Sequence, residues 1–207
     1  MAIVQYQFTV DDLARLPEDG SRYEMIDGAL YVTAAPHSEH QAALDQIIVA
    51  VGNWYNTAGL GWPVSGAGVK LAVNVGVVPD LLWFSDERLP LATVNPQTGE
   101  RDGKFHVAPD LAVEILSPGR ENEERDRETK LTLYSRRGIC EYWLVDRLLR
   151  TVEVDRLLRT VEVYRRDAAA LTLAATLTPP DTLVSPLLPG FALPVGQIFR
   201  LPKALRP

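Results

Sequence analysis

The chain has 207 residues, 46% of them apolar, enough to bury a substantial core and just above the usual single-domain size, so residues 1–207 are read as one domain. No apolar run approaches the ~20 residues of a membrane helix and the N-terminus lacks the charged-then-apolar layout of a signal peptide, which points to the cytoplasm; the single cysteine, Cys140, excludes an internal disulfide and a cysteine-rich zinc site, so any metal must take oxygen or imidazole ligands. The formal net charge of −6 argues against broad electrostatic adhesion to nucleic acid without excluding a local basic groove.

The first predicted element is a helix with an explicit start. Thr9 stands at the N-cap, Asp12 follows in capping-box position, Phe8 is placed to staple against Leu13, and the helix ends near Pro17. Arg22 to Ile26 and Ala29 to Thr33 flank Asp27-Gly28, a pair that favours the positive φ angles of a two-residue hairpin turn; Glu24 lies in the first strand. Ser38 with Gln41 opens a second helix, in which His40, Leu44, Ile47, Val51 and Trp54 recur at helical spacing on one buried face. It ends near Thr57, ahead of a turn from Gly59 to Gly61. Two apolar strands, Val69 to Val73 and Val77 to Phe84, precede a long polar connection from Ser85 to Val107, a length often functional. Leu111 to Leu116 is the next strand, followed by a charged helix from Asn122 to Arg137 that Gly138 closes. Glu141 to Val145 returns as a strand, and short strands with proline-rich loops complete the chain. The order of helix, three strands, helix and strand, after an N-terminal helix and hairpin, predicts an α/β fold of the α+β kind around a mixed sheet.

One repeat stands out. Val145 to Glu153 reads VDRLLRTVE, and Val154 to Glu162 repeats it. A nine-residue step reverses the face presented in a strand, so two copies cannot play the same part in one regular element. The expectation is that one copy completes a hairpin with the strand at Glu141 to Val145 while the other bulges out or forms a short edge segment.

Asp80 is the only charge in Val77 to Phe84, and Glu114 the only one in Leu111 to Leu116. Near-continuous apolar strands are covered on both faces, so each carboxylate is expected to be at least partly buried, and there it needs a partner. Two partners are open. An arginine or lysine would make a structural ion pair; a shared divalent cation such as Mg2+ or Mn2+ would suit hard oxygen ligands and support phosphoryl chemistry. Asp126, Lys130 and Tyr134 are spaced four apart and line one helix face, which could return toward the carboxylates or simply meet water. Asp110 lies ~13 Å along its own strand from Glu114, too far to share a small cation with it, and reads as a strand-entry residue. His40, on the apolar face of its helix, is either a buried hydrogen-bonded histidine or a contact to cation or substrate. Trp54, Trp83 and Trp143 read as core.

Pro79-Asp80, Val113-Glu114-Ile115-Leu116-Ser117-Pro118, the triplet Asp126, Lys130 and Tyr134, and Gly138-Ile139-Cys140-Glu141-Tyr142-Trp143-Leu144-Val145-Asp146, in that order, resemble the Uma2 family of restriction-endonuclease-like proteins. Tyr23-Glu24-Met25-Ile26-Asp27-Gly28 and His40 fit it too, so the resemblance runs from about residue 8 to residue 166. It implies a restriction endonuclease-like core of the PD-(D/E)xK type, with Asp80 and Glu114 as metal ligands and Glu24 as a third carboxylate. It also implies DNA as substrate and a homodimer. The sequence departs from the simple motif two residues after the glutamate, where Leu116 replaces lysine; in the Uma2-like pattern that lysine stands on the following helix, here Lys130.

Two functional readings follow. In the first the protein is a Mg2+- or Mn2+-dependent endonuclease-like phosphodiesterase acting on DNA, with Asp80 and Glu114 holding the cation, Lys130 orienting water or stabilising the pentavalent phosphorus, and Glu24 assisting. In the second it keeps the nuclease fold as a non-catalytic binding or assembly protein, a reading that the acidic total charge and Leu116 favour.

Overall fold

Three sheets and two helical layers position the charged residues. The structure is a computed structural model and describes residues 8–151 and 157–200. The N-terminal element is a single 3-10 helix, Val10–Arg15, opened by the expected capping box: the Thr9 N–H donates to Asp12 Oδ2 at 2.8 Å. β1 (Arg22–Ile26) and β2 (Ala29–Thr33) form the expected hairpin, and Asp27 (φ 52°) and Gly28 (φ 85°) both take the left-handed conformation that its turn demands. The long helix α1 (Ser38–Ala58) ends at Gly59, whose left-handed backbone stops it.

The strand expected over Val77 to Phe84 is in fact two strands in two sheets. β5 (Val75–Val77) pairs with β1 and with β4 (Val69–Ala72), giving a four-stranded sheet of order β2-β1-β5-β4. β6 (Leu81–Phe84) belongs to a six-stranded sheet. The break falls at residues 78–80, where Pro79 has no N–H to give to a ladder. A strand that the sequence reading did not include, β3 (Trp62–Ser65), pairs with β6 at the sheet edge, a position that tolerates its Pro63. The connection from Ser85 to Val107 carries one short helix, α2 (Leu89–Ala92), and returns through a bridge from Phe105 to Val69.

The larger sheet runs from β10 (Ala170–Leu177) through β9 (Leu157–Asp167), β8 (Glu141–Thr151), β7 (Leu111–Ile115) and β6 to β3. β7 (Leu111–Ile115) and β8 (Glu141–Thr151) are its parallel pair, and the crossover between them is the charged helix. That helix differs from expectation: α3 (Arg120–Glu124) runs into a π-helical segment, Arg125–Lys130, and then α4 (Leu131–Arg136). Period-2 alternation sorts the strand residues between two cores. Leu111, Val113 and Ile115 face α1 through Leu44, Ile47 and Val51, while Ala112 and Leu144 lie with Leu133 and Tyr134 of α4. Trp83 and Trp143 are core as expected, and Trp54 is half-buried against it.

The duplication does not split into a paired copy and a bulged one. The first copy carries β8 past Val145 and the second enters β9 (Leu157–Asp167), so the copies pair with one another, Val145 opposite Val161 and Asp146 opposite Thr160. A chain reversal lets each copy match its own strand, which removes the conflict of faces; the ladder adjusts by a register shift between Asp146 and Arg150, and residues 152–156 lie outside the described part. β10 (Ala170–Leu177), a two-stranded ribbon of β11 (Thr182–Leu183) and β12 (Leu193–Pro194), and α5 (Val195–Ile198) complete the fold. Among the described residues no helix is long and apolar enough to cross a membrane.

Candidate active site

Strand register brings Asp80 and Glu114 together. β6 and β7 pair antiparallel with Leu81 opposite Val113, so one further step on each strand sets Asp80 against Glu114. By alternation both carboxylates leave the sheet on the face of Leu82, Ala112 and Leu144, beneath the π segment and α4. Both are buried, at 1% and 2% exposure.

Asp80 is held from three elements. Its Oδ1 accepts from the Arg22 guanidinium of β1 at 2.8 Å. Its Oδ2 accepts from the Ile115 N–H at 2.8 Å, a side-chain oxygen satisfying a backbone donor past the end of the ladder, and lies 3.2 Å from His40 Nε2 at the start of α1. Burial by itself would raise the Asp80 carboxyl, but the His40 hydrogen bond and charge, Arg22 and the Ile115 N–H outweigh it and hold the group well below the usual carboxylate range.

Glu114 has the opposite bias. Its Oε1 accepts from Lys130 Nζ and from the Tyr134 hydroxyl, each at 2.8 Å. Burial pushes its carboxyl up to about 8; Lys130 opposes the shift, while Asp80, Asp126 and Glu24 reinforce it. Lys130 is itself buried, yet Glu114, Glu24 and Asp126 more than offset the burial and raise its ammonium above the ordinary lysine value.

Glu24, expected as an exposed hairpin charge unless the site claimed it, is 1% exposed. Its Oε1 accepts from the Val78 N–H at 2.8 Å, and its Oε2 lies 3.1 Å from Lys130 Nζ without a hydrogen bond. Asp126 takes a two-point contact from Arg125 at 2.9 and 3.2 Å and stands 3.6 Å from Lys130. The widened π turn frees the Asp126 carbonyl, and the Tyr142 hydroxyl donates to it at 3.0 Å.

The structure therefore gathers Asp80, Glu114, Lys130, Glu24, His40, Asp126 and Tyr134 around one centre. It leaves Asp110 out, where it accepts from the Ser85 N–H at 2.8 Å and pairs with Arg88, a strand-entry role. Leu116 is fully buried core. Sequence reasoning missed Arg22 and Arg125. Arg22 stands two residues before Glu24, hence on the same strand face, a signal that was present; Arg125 gave none, because its reach depends on the π turn.

Two carboxylates fit a small divalent cation such as magnesium, which commonly takes one or two of them and fills its remaining positions with water and substrate phosphate. Glu24, Asp80, Glu114 and Asp126 face Arg22, Arg125 and Lys130 as permanent cations, a crowding of four carboxyl groups that favours the protonated form of Glu114, and one buried Glu24 oxygen has no hydrogen bond. Among the described residues no three His, Cys, Asp or Glu side chains are grouped as a metal-ligand set; Asp80 and Glu114 are two carboxylates only. They border a cavity of about 630 Å³ shared with Arg22, His40, Ser117 and Arg125.

A family model described as "Uma2: Putative restriction endonuclease" matches residues 10–196. Among solved structures, one described as a "putative nuclease belonging to DUF820" from Anabaena variabilis ATCC 29413 is similar over 93% of this chain and 97% of that one, at a TM-score of 0.68 and 21% identity, a likeness of fold. No match is found among curated proteins.

Proposed function

Because the chain belongs to the Uma2 family of restriction-endonuclease-like proteins, we propose that it is a metal-dependent phosphodiesterase that hydrolyses DNA. The observation that carries the reading is the burial of Glu114 against Lys130, Asp80 and Glu24 at the edge of a cavity. Asp80 and Glu114 would hold Mg2+ or Mn2+, which supplies Lewis acidity toward a phosphate oxygen and eases deprotonation of water. Lys130 keeps its proton at neutral pH and provides fixed positive charge where negative charge grows on the phosphorus. Arg22 and His40 fix the rotamer of Asp80, and Glu24 fixes Lys130. In the reaction a water oxygen bonds to phosphorus, one P–O ester bond breaks, and the proton from water ends on the leaving sugar oxygen.

The test is Mn2+-dependent nicking of plasmid DNA. Wild type nicks, and Asp80→Ala and Glu114→Gln do not. Retained cleavage in Asp80→Ala would place the chemistry elsewhere. The homodimer implied by the resemblance belongs to the same reading, and sedimentation of the protein as a monomer at micromolar concentration would remove it. The second reading, a non-catalytic binding or assembly protein, is favoured by the ion pairs already made within the cluster and by Leu116, and a melting temperature indifferent to Mn2+ would select it.

A further inference from the structure

The carboxylates of Asp80 and Glu114 and the 3-10 helix Val10–Arg15 border the same cavity. The 3-10 helix Val10–Arg15 lies over the four-stranded sheet and is fastened there at three points. The Val10 N–H donates to the Val73 carbonyl at 2.9 Å, the Asp11 carboxylate takes Lys70 Nζ at 2.7 and 2.8 Å, and Gly76 is packed so closely that a Cβ there would lie 2.7 Å from Val10 Cγ1. The half-open cavity of about 630 Å³ would be roughly 11 Å across if round, the scale of a small-molecule site. A duplex is larger, since its major groove alone is about 12 Å wide. Asp80 and Glu114, at 1% and 2% exposure, are not surface groups that a passing backbone touches; a phosphodiester must enter the cavity to meet them.

The walls have two characters. Val10, Leu13, Ala14, Val69 and Val77 present apolar surface, while Lys104, exposed at the same cavity, makes no ion pair among the described residues. A nucleobase has an apolar face and no counter-charge, and a flanking phosphate needs a cation; a free lysine beside an apolar wall matches one strand with its base unpaired.

Building on the phosphodiesterase reading above, we propose that the cavity admits a single unpaired DNA strand, with a base against the wall of Val10, Leu13 and Ala14 and an adjacent phosphate on Lys104. Paired DNA is engaged only where the duplex is frayed or carries a flap.

The experiment uses three fluorescent oligonucleotides of one sequence: single-stranded, blunt duplex, and duplex with an unpaired flap. Binding is read by anisotropy with Ca2+ present, and cleavage is read separately with Mn2+. The expected result is that the single strand and the flap bind at least about tenfold more tightly than the blunt duplex. Ala14→Trp, an exposed position where bulk fills the mouth, should abolish that preference with its melting temperature unchanged. Equal or tighter binding of the blunt duplex, no binding of any oligonucleotide, or an Ala14→Trp variant that binds the single strand as wild type does, overturns the proposal. Absence of cleavage alongside a clear single-strand preference would sink the hydrolytic reading and leave the strand selectivity standing.

Discussion

Lys130 Nζ lies 2.8 Å from Glu114 Oε1 in a setting where both side chains are almost wholly excluded from solvent. Removing one member of such a pair leaves a charge buried without compensation, which is far costlier than the pair is worth. Lys130→Met should therefore lower stability by roughly 3–5 kcal/mol. Denaturant titration at neutral pH measures it, and a loss within error of zero would mean that Glu24 and Asp126, the other carboxylates facing Lys130, are accommodated without it.

Glu114 itself costs the fold stability as pH rises. Its carboxyl holds a proton up to about 8 in the native protein against an ordinary value of 4.5, so between those limits the folded state binds more protons than the unfolded state and stability falls with increasing pH. Lys130, raised above its ordinary value, keeps its contribution throughout that window. Metal-free wild type should lose stability from pH 5 to pH 8 through this group, and Glu114→Gln, inactive by the proposed mechanism, should flatten that part of the profile. Parallel pH profiles of wild type and variant would refute it.

Cation binding should reverse the same penalty. Millimolar Mn2+ is expected to raise the melting temperature of wild type, because a ligand held only by the folded state stabilises it by mass action. Asp80→Asn should show no such rise. A shift of equal size in both proteins would locate the ion somewhere other than between Asp80 and Glu114.

The helix beside the cavity makes a packing prediction. Gly76→Ala places a methyl within 2.7 Å of Val10, so the 3-10 helix must lift, at about 1–3 kcal/mol typical of overpacking. Hydrogen exchange should speed up in the Val10–Arg15 helix. Unchanged protection would show that β5 moves in its place.

The π segment offers a further structural test. Deleting the exposed Glu128 should let the segment rewind as α-helix, keeping Lys130 and Tyr134 in place while swinging Arg125 and Asp126 around the axis. The Arg125 contact to Thr33 Oγ1, now 2.6 Å, would be lost. A crystal structure of the deletion showing that bond intact would contradict the argument.

The convergence of Asp80, Glu114 and Lys130 was legible in the sequence because each obeys a local rule: a lone charge in an apolar strand must find a partner, and residues four apart share a helix face. The hairpin was legible from Asp27-Gly28 for the same reason. The division of residues 77–84 between two sheets was not, since an unbroken apolar run reads alike whether it continues or changes layer, and only Pro79 hinted at the change. Edge strand β3 was hidden by Pro63, a residue that argues against a strand until its edge position is known. The arginines escaped because long side chains choose partners by tertiary proximity, as Arg22 does in reaching Asp80 across 58 residues.

The chain passes from one sheet to the other at Val78-Pro79-Asp80, and the smaller sheet grips that crossing through Glu24 on the Val78 amide and Arg22 on Asp80. Swinging the small sheet outward to widen the entrance would withdraw both grips together, releasing Asp80 and depriving Lys130 of one counter-charge. The same two contacts that tie the small sheet to residues 78–80 therefore also set the position of Asp80 and the counter-charge of Lys130, so any widening there would loosen both.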